Sequence, residues 1–507
     1  MRRFMLIALA VLVAVAVAVA AAVLVARARD SAQSARTNDR ASGAETRESG
    51  GRAEGGAAEI QEEQEETAER LESLAEAKAD GRFGGAVAAT TDPAPGWVGS
   101  RLLKRSTDDW EPATAADAHA PWVYLLTTRY GEPKPCETGH CPTPYIVLTT
   151  SADGGHAWSP QRPLCVCRGS GAQYDPTIEV VPNTGVVYSV FLNADRAGGF
   201  STVFSKSLDH GANWTTPVHV YGNVAWTDKP EVTMSPSGKD VYVSWNGPQG
   251  GDLYVGISHD YGETWTQKRL SDSKRYYYAY DARVLSDGTV VFSESSIVYQ
   301  GSSNVEGEVW HHAIISRDQG ATWENVVVTK VPIGEACVAA GCSPDFYIGQ
   351  TSVVSDAPGH LVFAYEGPTT TGGPQRVYVS SSSDEGRTWS AGRPLSVAGE
   401  NATGPRLASA GGGDARIWYM QTRGGDNPDR WNVFFRSSAD GGGTWSSPVR
   451  ISDAPAGATA YHHANGFDEI YGDYGEIAVT NTGKTFATWG EGFSWTGPGG
   501  TWFNLQQ

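Results

Sequence analysis

From about residue 83 onward, apolar and polar positions alternate in short runs separated by turn signals. Asp240-Val-Tyr-Val-Ser-Trp245 and Asp252-Leu-Tyr-Val-Gly-Ile-Ser258 are two such runs. A period of two over these lengths predicts β-strands. The chain before residue 83 reads differently. Phe4 to Ala26 is uncharged and mostly apolar over 23 residues, enough to cross a bilayer as a helix. Residues 27–56 are rich in Ala, Arg, Ser, Gly and Glu with almost no large apolar groups, which predicts a disordered tether. Residues 57–79 carry Ile60, Leu71, Leu74 and Ala75 as their apolar stripe among Glu, Gln and Ala. They read as a solvated stalk helix, ended by Gly81 and Gly84-Gly85. The expected domains are an anchor at 1–26, a tether at 27–82 with a stalk helix at 57–79, and a β domain at 83–507.

Within the β domain one eight-residue pattern returns six times: Ser151–Trp158, Ser207–Trp214, Ser258–Trp265, Ser316–Trp323, Ser382–Trp389 and Ser438–Trp445. Its aspartates are Asp153, Asp209, Asp260, Asp318, Asp384 and Asp440, at intervals of 56, 51, 58, 66 and 56 residues. In such a turn the Asp accepts backbone N–H groups, the Gly supplies a positive φ, and the Trp packs as an apolar wedge. These residues are expected to be scaffolding. Upstream of the turns, Glu111-Pro112, Asp175-Pro176, Lys229-Pro230, Asp281-Ala282 and Gly404-Pro405 each open a strand, and Gly349-Gln350 and Asp473-Tyr474 fit more loosely. Seven openings for six boxed turns predict an all-β propeller of four-stranded blades, seven in number, with six as the alternative. The last unit has three strands and no box. A strand from Gly96-Trp97-Val98 to Lys104 is expected to complete it.

The net charge of −18 makes nucleic acid an unlikely fit, because a phosphate backbone would be repelled. The apolar run after Met1-Arg2-Arg3 predicts a single-pass anchor that holds the β domain outside the cytoplasm; cleavage of that run as a signal peptide would instead secrete it. Export suits the even count of cysteines. Cys136 with Cys141, and Cys337 with Cys342, are spaced to close small loops. Cys165 and Cys167 would share one face of a strand, an awkward geometry for a mutual bond. A metal site built on these thiols with His140 is the alternative.

The Ser-x-Asp-x-Gly-x-Thr-Trp turns resemble the Asp boxes, or BNR repeats, of the sialidase superfamily over most of residues 105–507, and the chain is similar to bacterial sialidase-like proteins. Members of that superfamily include sialidases, other glycan hydrolases, lyases and propellers that only bind. The resemblance implies a cell-surface glycan-processing protein, an exo-sialidase-like glycoside hydrolase acting on a glycan or glycoconjugate. Tyr280-Asp-Ala-Arg283 resembles a strand of the sialidase core, and Arg430 falls about where a triad arginine would. A Tyr nucleophile with a Glu partner is the sialidase solution, which nominates Tyr471 or Tyr474 with Glu294 or Glu476. No Phe/Tyr-Arg-Ile-Pro sequence supplies a first triad arginine. That difference grounds the alternative, a non-catalytic glycan- or protein-binding propeller.

Loops entering the inner strands of a propeller gather at one channel mouth, so Glu111, Asp175, Lys229, Asp281 and Asp473 should converge there. Arg283, Arg406, Glu294, Tyr474 and Glu476 are expected to line the same pocket. The pairs His311-His312 and His462-His463 are candidates for acid–base or metal work at this mouth, and Tyr347 for a sugar-stacking surface. No cofactor is required by this chemistry, although crowded acids would suit a bound cation.

Overall fold

The computed structural model describes residues 55–81, 93–136, 141–167, 169–196, 199–221, 227–247, 251–272, 274–300, 304–334, 349–422, 430–452, 458–459, 461–462, 468–469, 471–493 and 498–507. The strands form seven four-stranded antiparallel blades, as the seven strand openings predict. Blade 1 runs Asp108–Ala116, Val123–Tyr130, Tyr145–Ser151 and Arg162–Pro163 from the inside outward. Blades 2 to 6 begin with inner strands Ser170–Val180, Asp228–Met234, Tyr276–Val284, Thr351–Ala357 and Ala402–Gly411. Blade 7 contributes Glu476–Val479, Thr485–Gly492 and Gly499–Leu505, and its outer strand is Arg101–Leu102 from the front of the domain. Trp97 adds a bridge to Gln506. The ring therefore closes with strands from both ends of the domain.

The boxed turns explain how the blades pack. In the fourth copy Ser316 Oγ accepts the Gly320 N–H at 2.7 Å and donates to Asp318 Oδ1 at 3.0 Å. Asp318 accepts the Thr322 N–H and hydroxyl at 2.7 and 2.6 Å, and Trp323 Nε1 donates to the Gly320 carbonyl at 3.1 Å. Serine is thus the buried pivot of the turn, and aspartate its exposed outer clamp. The expected result of Ser316→Ala is a loss of about 1–2 kcal/mol, because a buried N–H loses its acceptor. Asp318→Ala should lower stability less, and thermal melts of the two variants check the order.

Each boxed tryptophan enters one apolar layer between blades. Trp158 packs between blades 7 and 1, Trp214 between 1 and 2, and Trp265 between 2 and 3. Trp323, Trp389 and Trp445 serve the next three layers in turn. Blade 7 has no box, so the layer between blades 6 and 7 receives no such wedge. Trp97, Trp418, Trp431, Trp489 and Trp502 fill it instead.

Two expectations need correction. The helix Gly55–Ala79, here α1, is not simply solvated. Thr67, Arg70, Leu71, Leu74 and Ala77 form one helical face that docks on the propeller, with Leu74 and Ala77 buried. The stripe read from the sequence was too sparse to show this, because the main anchor is an arginine. Arg70 is 2% exposed, with its guanidinium 3.4 Å from the Trp110 ring centroid and 3.6 Å from Asp108 Oδ2. Cys165 and Cys167 do form a disulfide. They lie in a loop after Pro163 rather than in a strand, and the bend brings their Cα atoms to 5.2 Å. Cys136 and Cys141 form a second bond, so the thiol–metal alternative does not apply to these four residues. Cys337, Cys342 and His140 lie outside the described residues, as does the run Phe4–Ala26. Among the described residues no helix is long and apolar enough to cross a membrane.

Candidate functional site

The inner strands share a local device. Glu111, Asp175, Lys229 and Gly404 have φ of 53°, 49°, 46° and 63°, each is followed by proline, and each sits in a β-bulge. Asp473 has φ 61° just before its strand. Left-handed backbone is costly for a side-chain-bearing residue and re-aims what it carries. Here it turns Glu111, Asp175, Lys229 and Asp473 toward one another.

Carboxylate oxygens of Glu111, Asp175 and Asp473 lie within 4.8 Å of one another. Lys229 Nζ, from blade 3, forms an ion pair with Asp473 of blade 7, and Tyr474 donates its hydroxyl to Asp175 Oδ1 at 2.9 Å. Glu111 Oε2 accepts the Thr128 hydroxyl at 2.5 Å and the Asp175 N–H at 2.8 Å. Burial, then the Asp175 charge, pushes Glu111 well above the usual carboxylate range. Burial and the neighbouring acids likewise push the Tyr474 hydroxyl up. Tyr474 is thus hydrogen-bonded to Asp175, whereas the sequence reading nominated Glu294 or Glu476 as the partner of the tyrosine.

A second cluster includes Glu231, Asp281, Arg283, Arg406 and Glu476. Asp281 is buried, and accepts Arg283 Nη1 at 2.7 Å, Ser352 Oγ at 2.5 Å, and the Ala282 and Val353 N–H groups at 2.8 and 3.1 Å. Arg283 also approaches Glu179 at 3.6 Å. Arg406 is buried and donates to the carbonyls of Gly475, Thr351 and Pro405. Glu476 is half-buried, and burial together with the Asp281 charge raises it to about 7. Glu231 is pushed well above its ordinary value by burial and then by Asp281 and Glu476. The sequence reading missed Glu179, Asp228 and Glu231. Glu231 had a signal, since it lies two residues beyond Lys229 on the same strand.

Other candidates stand elsewhere. Glu294 is fully buried in the second strand of blade 4, and burial raises it to about 8. His311 and His312 are buried. They sit in the third strand of blade 4, where burial lowers them to about 3 and about 4 and keeps both neutral. His311 Nε2 lies 2.8 Å from the Glu366 carbonyl, while His312 lies between Ser296 and Asn325. Tyr471 is buried against Trp110 and is hydrogen-bonded to Asp108. Tyr347, His463 and the side chains of Arg430 and His462 lie outside the described residues.

Residues 240–484 match the family described as BNR repeat-like domain. Among solved structures, a protein of unknown function from Dyadobacter fermentans is 13% identical, with a TM-score of 0.45 and coverage of 81% of this chain and 99% of the other. Hadza microbial sialidase Hz136 is 16% identical, with a TM-score of 0.43 and coverage of 73% and 74%. A polysaccharide lyase of family PL25, an ulvan lyase, is 12% identical, with a TM-score of 0.46 and coverage of 81% and 95%. No curated protein matches the chain.

Proposed function

We propose that this chain, a seven-bladed propeller carrying a BNR repeat-like domain, is a glycan-processing protein that works at its channel mouth as a glycoside hydrolase. The observation that carries this reading is the convergence of Glu111, Asp175 and Asp473 with the Lys229 ammonium and the Tyr474 hydroxyl. Glycoside hydrolysis needs one protonated and one ionised carboxyl group near the same bond. Glu476, raised to about 7, is proposed as the acid that protonates the leaving oxygen. Asp473 is proposed as the nucleophile or base, because the adjoining Lys229 ammonium favours its ionised form. Tyr474, already a donor to Asp175, is proposed to orient the sugar. Lys229 supplies positive charge at the three acids, so no cofactor is invoked.

The test is a screen of chromogenic glycosides and cell-wall polysaccharides, followed by Asp473→Asn on any substrate found. Asparagine tolerates the left-handed backbone at this position. Turnover should fall about 100-fold or more with folding retained. An alternative reading, a binding propeller, is favoured by one observation: Lys229 and Tyr474 already pair with the acids beside them. Saturable glycan binding without product would establish it over hydrolysis.

Two disulfides suit an oxidising compartment. With the apolar run Phe4–Ala26, they support a propeller held outside the cytoplasm on a membrane anchor. The net charge of −18 supports a glycan rather than a nucleic acid as partner.

A further inference from the structure

Resting on the hydrolase reading, we propose that the channel selects a glycan bearing a protonated amine over one bearing a carboxylate. The argument starts from the cations. Lys229 is paired with Asp473. Arg283 is held by Asp281 and Glu179. Arg406 is buried, and its guanidinium donates to three backbone carbonyls. Each is therefore engaged by a group of the protein. A carboxylated sugar would have to compete with these partners for the charge of each cation.

The acids are in the opposite position. Asp228, Glu231 and Glu476 are half-buried, and among the described residues none of them pairs with Lys, Arg or His within 4.0 Å. Glu231 faces Asp281, Glu476, Arg406 and Arg283; Glu476 faces Asp281 and the same two arginines; Asp228 faces Asp175 and Lys229. Burial and these like charges push all three above the usual carboxylate range. A second acceptor points to a ligand rich in donors. Gln350 is 1% exposed, its Nε2 donates to the Asp473 carbonyl at 2.6 Å, and its Oε1 has no hydrogen-bond partner among the described residues. An ammonium group answers both features. It donates several hydrogen bonds, and its charge draws protons off the crowded acids as they ionise against it. Binding should therefore release protons below about pH 7, the value to which Glu476 is raised.

The experiment is calorimetric titration of the full chain at pH 6.5 with three trisaccharides: glucosamine, its N-acetylated form, and galacturonic acid. Two buffers of different ionisation enthalpy count the protons. The amine form should bind at least about tenfold tighter than either other sugar and release protons on binding. Glu231→Gln and Glu476→Gln should each narrow that preference. Binding of the uronic acid or the N-acetylated form as tight as the amine overturns the charge selection and leaves the glycan-processing reading standing. Binding of none of the three overturns both.

Discussion

Replacing Arg70 by alanine is expected to destabilise the protein by about 3 kcal/mol at pH 8, and by less at pH 5. Arg70 lies over Trp110, with Tyr130 and Tyr471 flanking it, and its partner is the buried Asp108. Burial is the largest influence on Asp108 and raises it to about 6; the arginine pulls in the opposite direction. Between 3.8, its ordinary value, and about 6 the folded chain holds a proton that the unfolded chain has released. Stability from this group therefore falls as pH rises through that window. Without Arg70 the folded value moves higher, so the unfavourable window extends upward and the difference from wild type grows with pH. Denaturant unfolding of both proteins at pH 5 and pH 8 measures this. Equal losses at the two pH values would mean that Arg70 acts through packing over Trp110 and not through Asp108.

Asp281→Ala should cost about 3–5 kcal/mol, the range seen when one partner of a buried ion pair is removed. Its carboxylate links blades 4 and 5 through Ser352 and the Val353 N–H. Ser352 Oγ in turn accepts the Leu407 N–H of blade 6 at 2.9 Å. Truncation leaves Arg283, Ser352 and the Val353 N–H without this acceptor. Asp281→Asn keeps an acceptor oxygen but removes the charge opposite Arg283, so its loss should be intermediate. Chemical denaturation of both variants checks the order. A loss under about 1 kcal/mol for the alanine variant would show that the link between blades does not depend on this carboxylate.

The propeller was legible because its signal repeats: six Ser-x-Asp-x-Gly turns and seven strand openings fix blade length and count together. The closing strand was legible for a related reason, since a blade with three strands leaves an edge to cover. The mouth was legible in part. Glu111, Asp175, Lys229 and Asp473 occupy equivalent places in the repeat, so symmetry alone brings them to one end of the channel. His311 and His312 are buried within their blade: adjacency in sequence says nothing of depth, and a third strand lies away from the axis. Asp281 occupies an equivalent place too, yet its backbone lacks the left-handed turn of the others, and its carboxylate reaches into the neighbouring blade. The docking of α1 left little trace in the sequence, because a buried arginine among glutamates looks like one more surface charge.

That docked helix also decides how the molecule carries load. The strand that closes the ring from the front, Arg101–Leu102, is only two residues long and lies downstream of α1. A pull on the chain before residue 55 reaches the helix before it reaches that strand. Arg70 clasped among Trp110, Tyr130 and Tyr471, with Leu74 and Ala77 buried below it, takes the force first. The helix works as strain relief on a cable: tension is taken up at the clamp, and the short closing strand is spared.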